Sequence, residues 1–163
     1  MPFEMIIGAV VALITVILLV LRTNSGVVFF SVCAGSVLAS QIGDEASLLS
    51  STVIKDGDLN KSIVSIILII LPAILSAIFL RGSVKGGKFI FNLIPSIATG
   101  GLLVLLIVPL LPANTSSQIL TSDIWGKLQQ YQPIILSVGV VSSIVLLCFT
   151  QNRHKKDKKH KKH

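Results

Sequence analysis

Charge is what this chain lacks over most of its length. Residues 5–21, 23–43, 62–80, 89–112 and 133–150 contain no Asp, Glu, Lys or Arg, and together they make up 99 of the 163 residues. An ionisable group inside a membrane segment is costly, and where it persists it marks an ion path or a reacting centre. None of the five stretches holds one. Histidine is missing as well until His154, His160 and His163 at the end of the chain. No stretch therefore has a histidine to ligate haem or to activate a serine nucleophile, or a carboxylate to relay a proton. Metalloprotease, P-loop and nucleophile-elbow patterns are also absent. These absences point away from enzymes and ion-coupled pumps, and the chain is expected to carry no catalytic residue, cofactor or metal. Cysteine is limited to Cys33 and Cys148, both inside uncharged stretches, where a thiol acts as a small hydrophobe without a disulfide or metal framework.

What is present is length without charge. A bilayer core of about 30 Å needs roughly 20 helical residues to cross it, and the five stretches hold 17, 21, 19, 24 and 18 residues. The expectation is an all-α, polytopic integral membrane bundle with five transmembrane helices, at about 5–21, 26–42, 62–80, 89–112 and 133–150. Residues 1–150 form the bundle and residues 151–163 a basic tail. Only Glu4 precedes the first stretch, so it lacks the basic start of a secretory signal and reads as a retained helix.

The charges between the stretches are sorted by sign. Arg22, then Arg81, Lys85 and Lys88, then the tail carry eleven of the fourteen Lys and Arg. The alternate segments carry Glu4, then Asp44, Glu45, Asp56 and Asp58, then Asp123. Cytoplasmic loops favour Lys and Arg, so five crossings with the N-terminus outside and the C-terminus inside satisfy all three basic segments at once. A re-entrant second stretch would leave Arg22 and the acidic loop on one side.

The tail concentrates the net charge of +7. Arg153, Lys155, Lys156, Lys158, Lys159, Lys161 and Lys162 lie within eleven residues, and such a run beside a membrane contacts anionic lipid at about 1 kcal/mol per cation. Nucleic acid is not an expected partner. Lys159 and Lys161 also match a K-x-K-x-x retrieval pattern, and Asn60-Lys61-Ser62 and Asn114-Thr115-Ser116 match glycosylation acceptors. These keep the endoplasmic reticulum membrane as the alternative to a bacterial cytoplasmic membrane.

Small and polar residues supply the remaining signals. Ser31, Gly35 and Ala39 fall four apart on one face of the second stretch, and small residues let membrane helices approach closely. Gly100 on the fourth stretch and Gly139 and Ser143 on the fifth read the same way, facing an internal neighbour or a partner subunit. Asn92 and Thr99 would line a polar groove if the fourth helix borders one. Pro72 and Pro95 sit inside the third and fourth stretches, where each removes a backbone donor. Leu120, Ile124, Leu128 and Tyr131 share a helical face beside Trp125. That pattern suggests a short amphipathic helix over 119–131 lying on the outer surface, with Trp and Tyr at headgroup level. Pro133 would then occupy the first turn of the last span.

In pattern, the chain resembles the colicin V production family of small bacterial inner-membrane proteins. The resemblance covers about residues 5–132. It rests on the uncharged first helix ending in Arg22, the Gly/Ser/Ala-rich segment from Gly26 to Ser40, and the segment from Arg81 to Pro112. In the last of these a basic, glycine-containing turn leads to Gly100-Gly101 and a terminal Pro-Leu-Leu-Pro. The family's Arg-Gly after the first helix appears here as Arg22-Thr23-Asn24-Ser25-Gly26, and the fifth helix and Lys tail depart from the pattern. The resemblance implies a role in envelope maintenance or protein export and carries over no catalytic residues. The leading expectation is a non-enzymatic accessory or scaffold subunit that forms a homo-oligomer or joins a larger membrane complex. The alternative is a channel or transporter for a neutral or apolar solute.

Overall fold

The computed structural model describes residues 3–50, 57–82, 89–111 and 113–160. Helices account for nearly all of them: α1 (Phe3–Val20), α2 (Ser25–Ser50), α3 (Gly57–Phe79), α4 (Phe89–Ile107), α5 (Ala113–Leu120) and α6 (Asp123–His160). A 3-10 turn at Val108–Leu110 follows α4, and no strand occurs among the described residues. Four segments are long and apolar enough to cross a membrane: Ser25–Gly43, Leu59–Phe79, Asn92–Leu110 and Ile124–Cys148. Met5–Val20 is a shorter apolar helix. In hydrocarbon every backbone amide needs a partner within the protein, and a helix supplies one from its own segment.

Helix α4 is the centre of the arrangement. It packs against α1, α2 and α6, and α2 adds extensive contact with α3 and further contact with α6. Seen down the bundle, α1, α4, α2 and α3 follow one another, with α6 lying against the α2–α4 pair. Leu18, Val28, Phe29, Val32, Ile69, Ala73, Ala98 and Leu102 form the main apolar core between these helices. A second cluster of Val104, Leu105, Val108 and Trp125 sits at the other end of α4.

Glycines set the closest approaches. A Cβ added at Gly35 would lie 2.8 Å from the carbonyl oxygens of Leu68 and Ile69 on α3. Pro72, inside α3, has no N–H to return to Leu68, so this seam brings α2 against a carbonyl that lacks its helical donor. At Gly139 an added Cβ would overlap the fully buried Phe29 ring. The corresponding contact at Gly100 is 3.1 Å from the carbonyl oxygen of Val11 on α1.

Three expectations are corrected at the end of the chain. No separate helix spans 119–131: the break falls at Thr121 and Ser122, the short helix ahead of it is α5, and Ile124 to Tyr131 belong to α6. Pro133 is therefore inside α6 and not in its first turn. Its effect is tolerated because only the carbonyl one turn earlier loses a donor. Trp125 does not lie at an exposed headgroup position. It is 3% exposed, among Val104, Leu105 and Val108, so its ring pins the start of α6 to the end of α4. Tyr131 does stay exposed. Beyond Cys148, α6 continues as helix to His160, while the side chains of Arg153, Lys155, Lys156, Lys158 and Lys159, and the whole of Lys161 and Lys162, lie outside the described residues. The glycosylation pattern at Asn60 also meets a structural obstacle, since Asn60 sits in α3 and is 1% exposed.

Candidate functional site

Buried polar side chains concentrate where α1 turns into α2, covered by the first turns of α4 and the middle of α6 around Ser143. Construction of this site starts with the end of α1. Arg22 donates its N–H to the Leu19 carbonyl at 3.1 Å, and Thr23 donates to Leu18 at 3.4 Å. With Arg22 at φ 51°, this is the Schellman ending in which a left-handed residue stops the helix. Glycine usually fills that position because a Cβ there is strained. Here an arginine takes it.

The next two residues open α2. Asn24 acts as N-cap: its Oδ1 accepts from the Gly26 N–H at 3.2 Å, and its carbonyl accepts from Val27 at 3.0 Å. The Ser25 N–H donates to Oδ1 of Asn92 on α4 at 3.0 Å, and Asn92 Nδ2 donates back to the Thr23 carbonyl at 2.8 Å. A helix start normally leaves its first amide donors for side chains or water to satisfy. In this structure a side chain from another helix completes the cap. Ser96, one turn beyond Asn92, shares a hydrogen bond with Ser25 at 2.6 Å between their hydroxyl oxygens. It also donates to the Asn92 carbonyl at 2.7 Å. Thr23, Ser25, Ser96 and Thr99 are fully buried, and Asn92 is nearly so.

The residues singled out by sequence fall into two groups. Asn92 belongs to this network. Thr99 does not join it, because its hydroxyl returns to the Pro95 carbonyl of its own helix at 2.6 Å. Neither lines an open groove. Ser31 donates to Val27 at 2.9 Å and pairs with Ser76 of α3, Gly35 meets the α3 backbone, and Ala39 packs against the main core. Gly100, Gly139 and Ser143 meet α1, Phe29 and Gly26 respectively. All six positions thus face another helix of the same chain. Sequence reasoning passed over Thr23, Asn24, Ser25 and Ser96. Asn-Ser directly after the basic end of α1 is a helix-start signal, and Ser96 stands four residues from Asn92 on one face.

Chemically the network is quiet. It contains hydroxyls and amides with no ionisable group, and among the described residues the only buried side-chain polar atom without a partner is Ser143 Oγ. No group of three His, Cys, Asp or Glu able to hold a metal occurs among the described residues. The open spaces lined by described residues are apolar. A groove of about 400 Å³ runs between α4 and α6, lined by Ile94, Ile97, Ala98, Gly101, Ile134 and Val138 among others. A smaller one of about 210 Å³ lies between α1 and the end of α4. No family model, curated protein or solved structure matches the chain.

Proposed function

We propose that the chain crosses the membrane five times, with the N-terminus outside and its basic end in the cytoplasm, and serves as a non-enzymatic scaffold or accessory subunit of a membrane complex. Support for the fifth crossing comes from α1 lying along α4: Val11 meets Gly100, while Ile7 packs with the cluster of Val104, Leu105 and Val108. At 18 residues, α1 is about 27 Å long, a mismatch the bilayer absorbs by thinning locally. Support for the orientation comes from the Gly82 N–H donating to the Leu21 carbonyl at 3.2 Å. That bond brings Arg22 and Arg81 to one end of the bundle, as the positive-inside rule asks.

The observation that carries the scaffold reading is the contrast between inside and outside. The buried polar side chains of the α1–α2 turn are committed to bonds within the chain. Much of the exposed surface of α3 and α6 is apolar, including Ile63, Ile67, Leu71, Ile74 and Ile78 on α3 and Ile134, Val138, Val141 and Ile144 on α6. A solute path would need the Asn92 amide free, and both its oxygen and its nitrogen are engaged. Following the resemblance to the colicin V production family, we place the complex in a bacterial cytoplasmic membrane, in envelope maintenance or protein export. Native mass spectrometry from nanodiscs tests the reading. A homo-oligomer or a stoichiometric partner is expected, and a bare monomer with no co-purifying protein contradicts it.

A further inference from the structure

The bond that joins the ends of α1 and α3 also brings two cations together. Leu21 and Gly82 share a backbone hydrogen bond of 3.2 Å, and standard covalent geometry then holds the α-carbons of Arg22 and Arg81 within roughly 8 Å. Both side chains are exposed, and neither has an ion-pair partner among the described residues. Both turns are held in left-handed backbone, at φ 51° for Arg22 and φ 74° for Gly82, so the pair is presented on a defined frame. The helix faces that lead to it are apolar and exposed: Val16, Ile17 and Val20 on α1, Leu75, Ile78 and Phe79 on α3. Phe79 is 83% exposed and Val20 74%, which puts the two most exposed apolar side chains of these faces two residues from each arginine.

We infer that Arg22 and Arg81 together bind the phosphate of one anionic phospholipid, whose acyl chains lie along the exposed ends of α1 and α3. Guanidinium groups suit phosphate because their forked donors match its oxygens. The apolar approach favours a lipid over free phosphate, which has nothing to place against Val20 and Phe79. The pair draws on the ends of α1 and α3 and on none of the Lys and Arg of the tail sequence, residues 151–163. The inference rests on the membrane-spanning reading, though not on its orientation.

The test is a double-mutant cycle on the full chain in nanodiscs, reading retention of phosphatidylglycerol against phosphatidylcholine by native mass spectrometry. Arg22→Gly removes one cation while suiting the left-handed backbone, so lost folding cannot explain its effect. Arg81→Gln removes the other. Each change is expected to weaken retention of the anionic lipid about fivefold, and the double variant no more than about tenfold, because both arginines hold the same phosphate. Inorganic phosphate at millimolar concentration is expected to leave retention unchanged. Independent effects that multiply to about 25-fold, no effect of either change, or displacement by inorganic phosphate would each overturn the site. Carbonate extraction separates the two levels: a chain released from membranes defeats the membrane reading itself, whereas a retained chain with unaltered lipid binding defeats only this site.

Discussion

Helices α3 and α4 look alike as sequence and differ as structure. Each is a long apolar helix with an internal proline, Pro72 in one and Pro95 in the other, and beyond Lys61 of α3 neither carries a charge. Yet half of the α4 window is buried, against 17% of the α3 window. The difference lies in a few residues at helical spacing. Helix α4 carries Asn92, Ser96, Thr99 and Gly100 on its buried side; α3 buries Asn60 and Ser65 and pairs Ser76 with Ser31, but it exposes a long row of Ile and Leu and holds to the bundle chiefly through α2. In lipid, apolar surface gains little by meeting other apolar surface, so hydrogen bonds and close backbone approach decide which helix goes inside. Apolar content alone then marks the outer helix.

The comparison breaks most visibly at Asn92. Asn92→Leu removes both bonds to the α1–α2 turn and leaves the Ser25 N–H and the Thr23 carbonyl buried without partners. Each orphan costs about 1–3 kcal/mol, so a loss of about 3 kcal/mol is expected in a denaturant titration of the protein in detergent micelles. Next comes the seam of α3 with α2. Gly35→Ala drives a methyl into two backbone carbonyls and should cost about 2 kcal/mol, read as a lower thermal midpoint. The same change at Gly8, where nothing lies within 4 Å, should shift stability by less than about 0.5 kcal/mol. Equally small is Ile67→Ala on the exposed face of α3, expected within about 0.5 kcal/mol. An effect above about 2 kcal/mol in the isolated chain would show that this face is packed and not lipid-facing.

Much of this fold is written in the sequence, and what is hidden has physical reasons. The uncharged stretches mark α1 to α4 because a bilayer tolerates little else, and the Ser31-Gly35-Ala39 face is visible because spacing of four is a helix turn. The end of the chain is less legible. Pro133 and the Trp125–Tyr131 pair carry the marks of a helix start and an interfacial segment, but packing overrides both. Burial of Trp125 against Val104 and Val108 is a tertiary gain that no local pattern encodes, and it carries α6 straight through the proline. The capping network is half legible. Asn92 stands out as an amide in an apolar run, but its partners are backbone groups of a loop 69 residues earlier in the chain, which side-chain patterns do not mark.

The central claim is that the polar groups at the α1–α2 turn bind the helices to one another and line no solute path. A single cysteine at Ser96, in a chain carrying Cys33→Ala and Cys148→Ala, tests it most directly in intact membranes. Ser96 is fully buried between α2 and α4. A small water-soluble methanethiosulfonate applied from either side should therefore leave the thiol unmodified until the protein is unfolded in detergent. Rapid labelling in the native membrane, from either face, would mean that water reaches the network, and would contradict the claim.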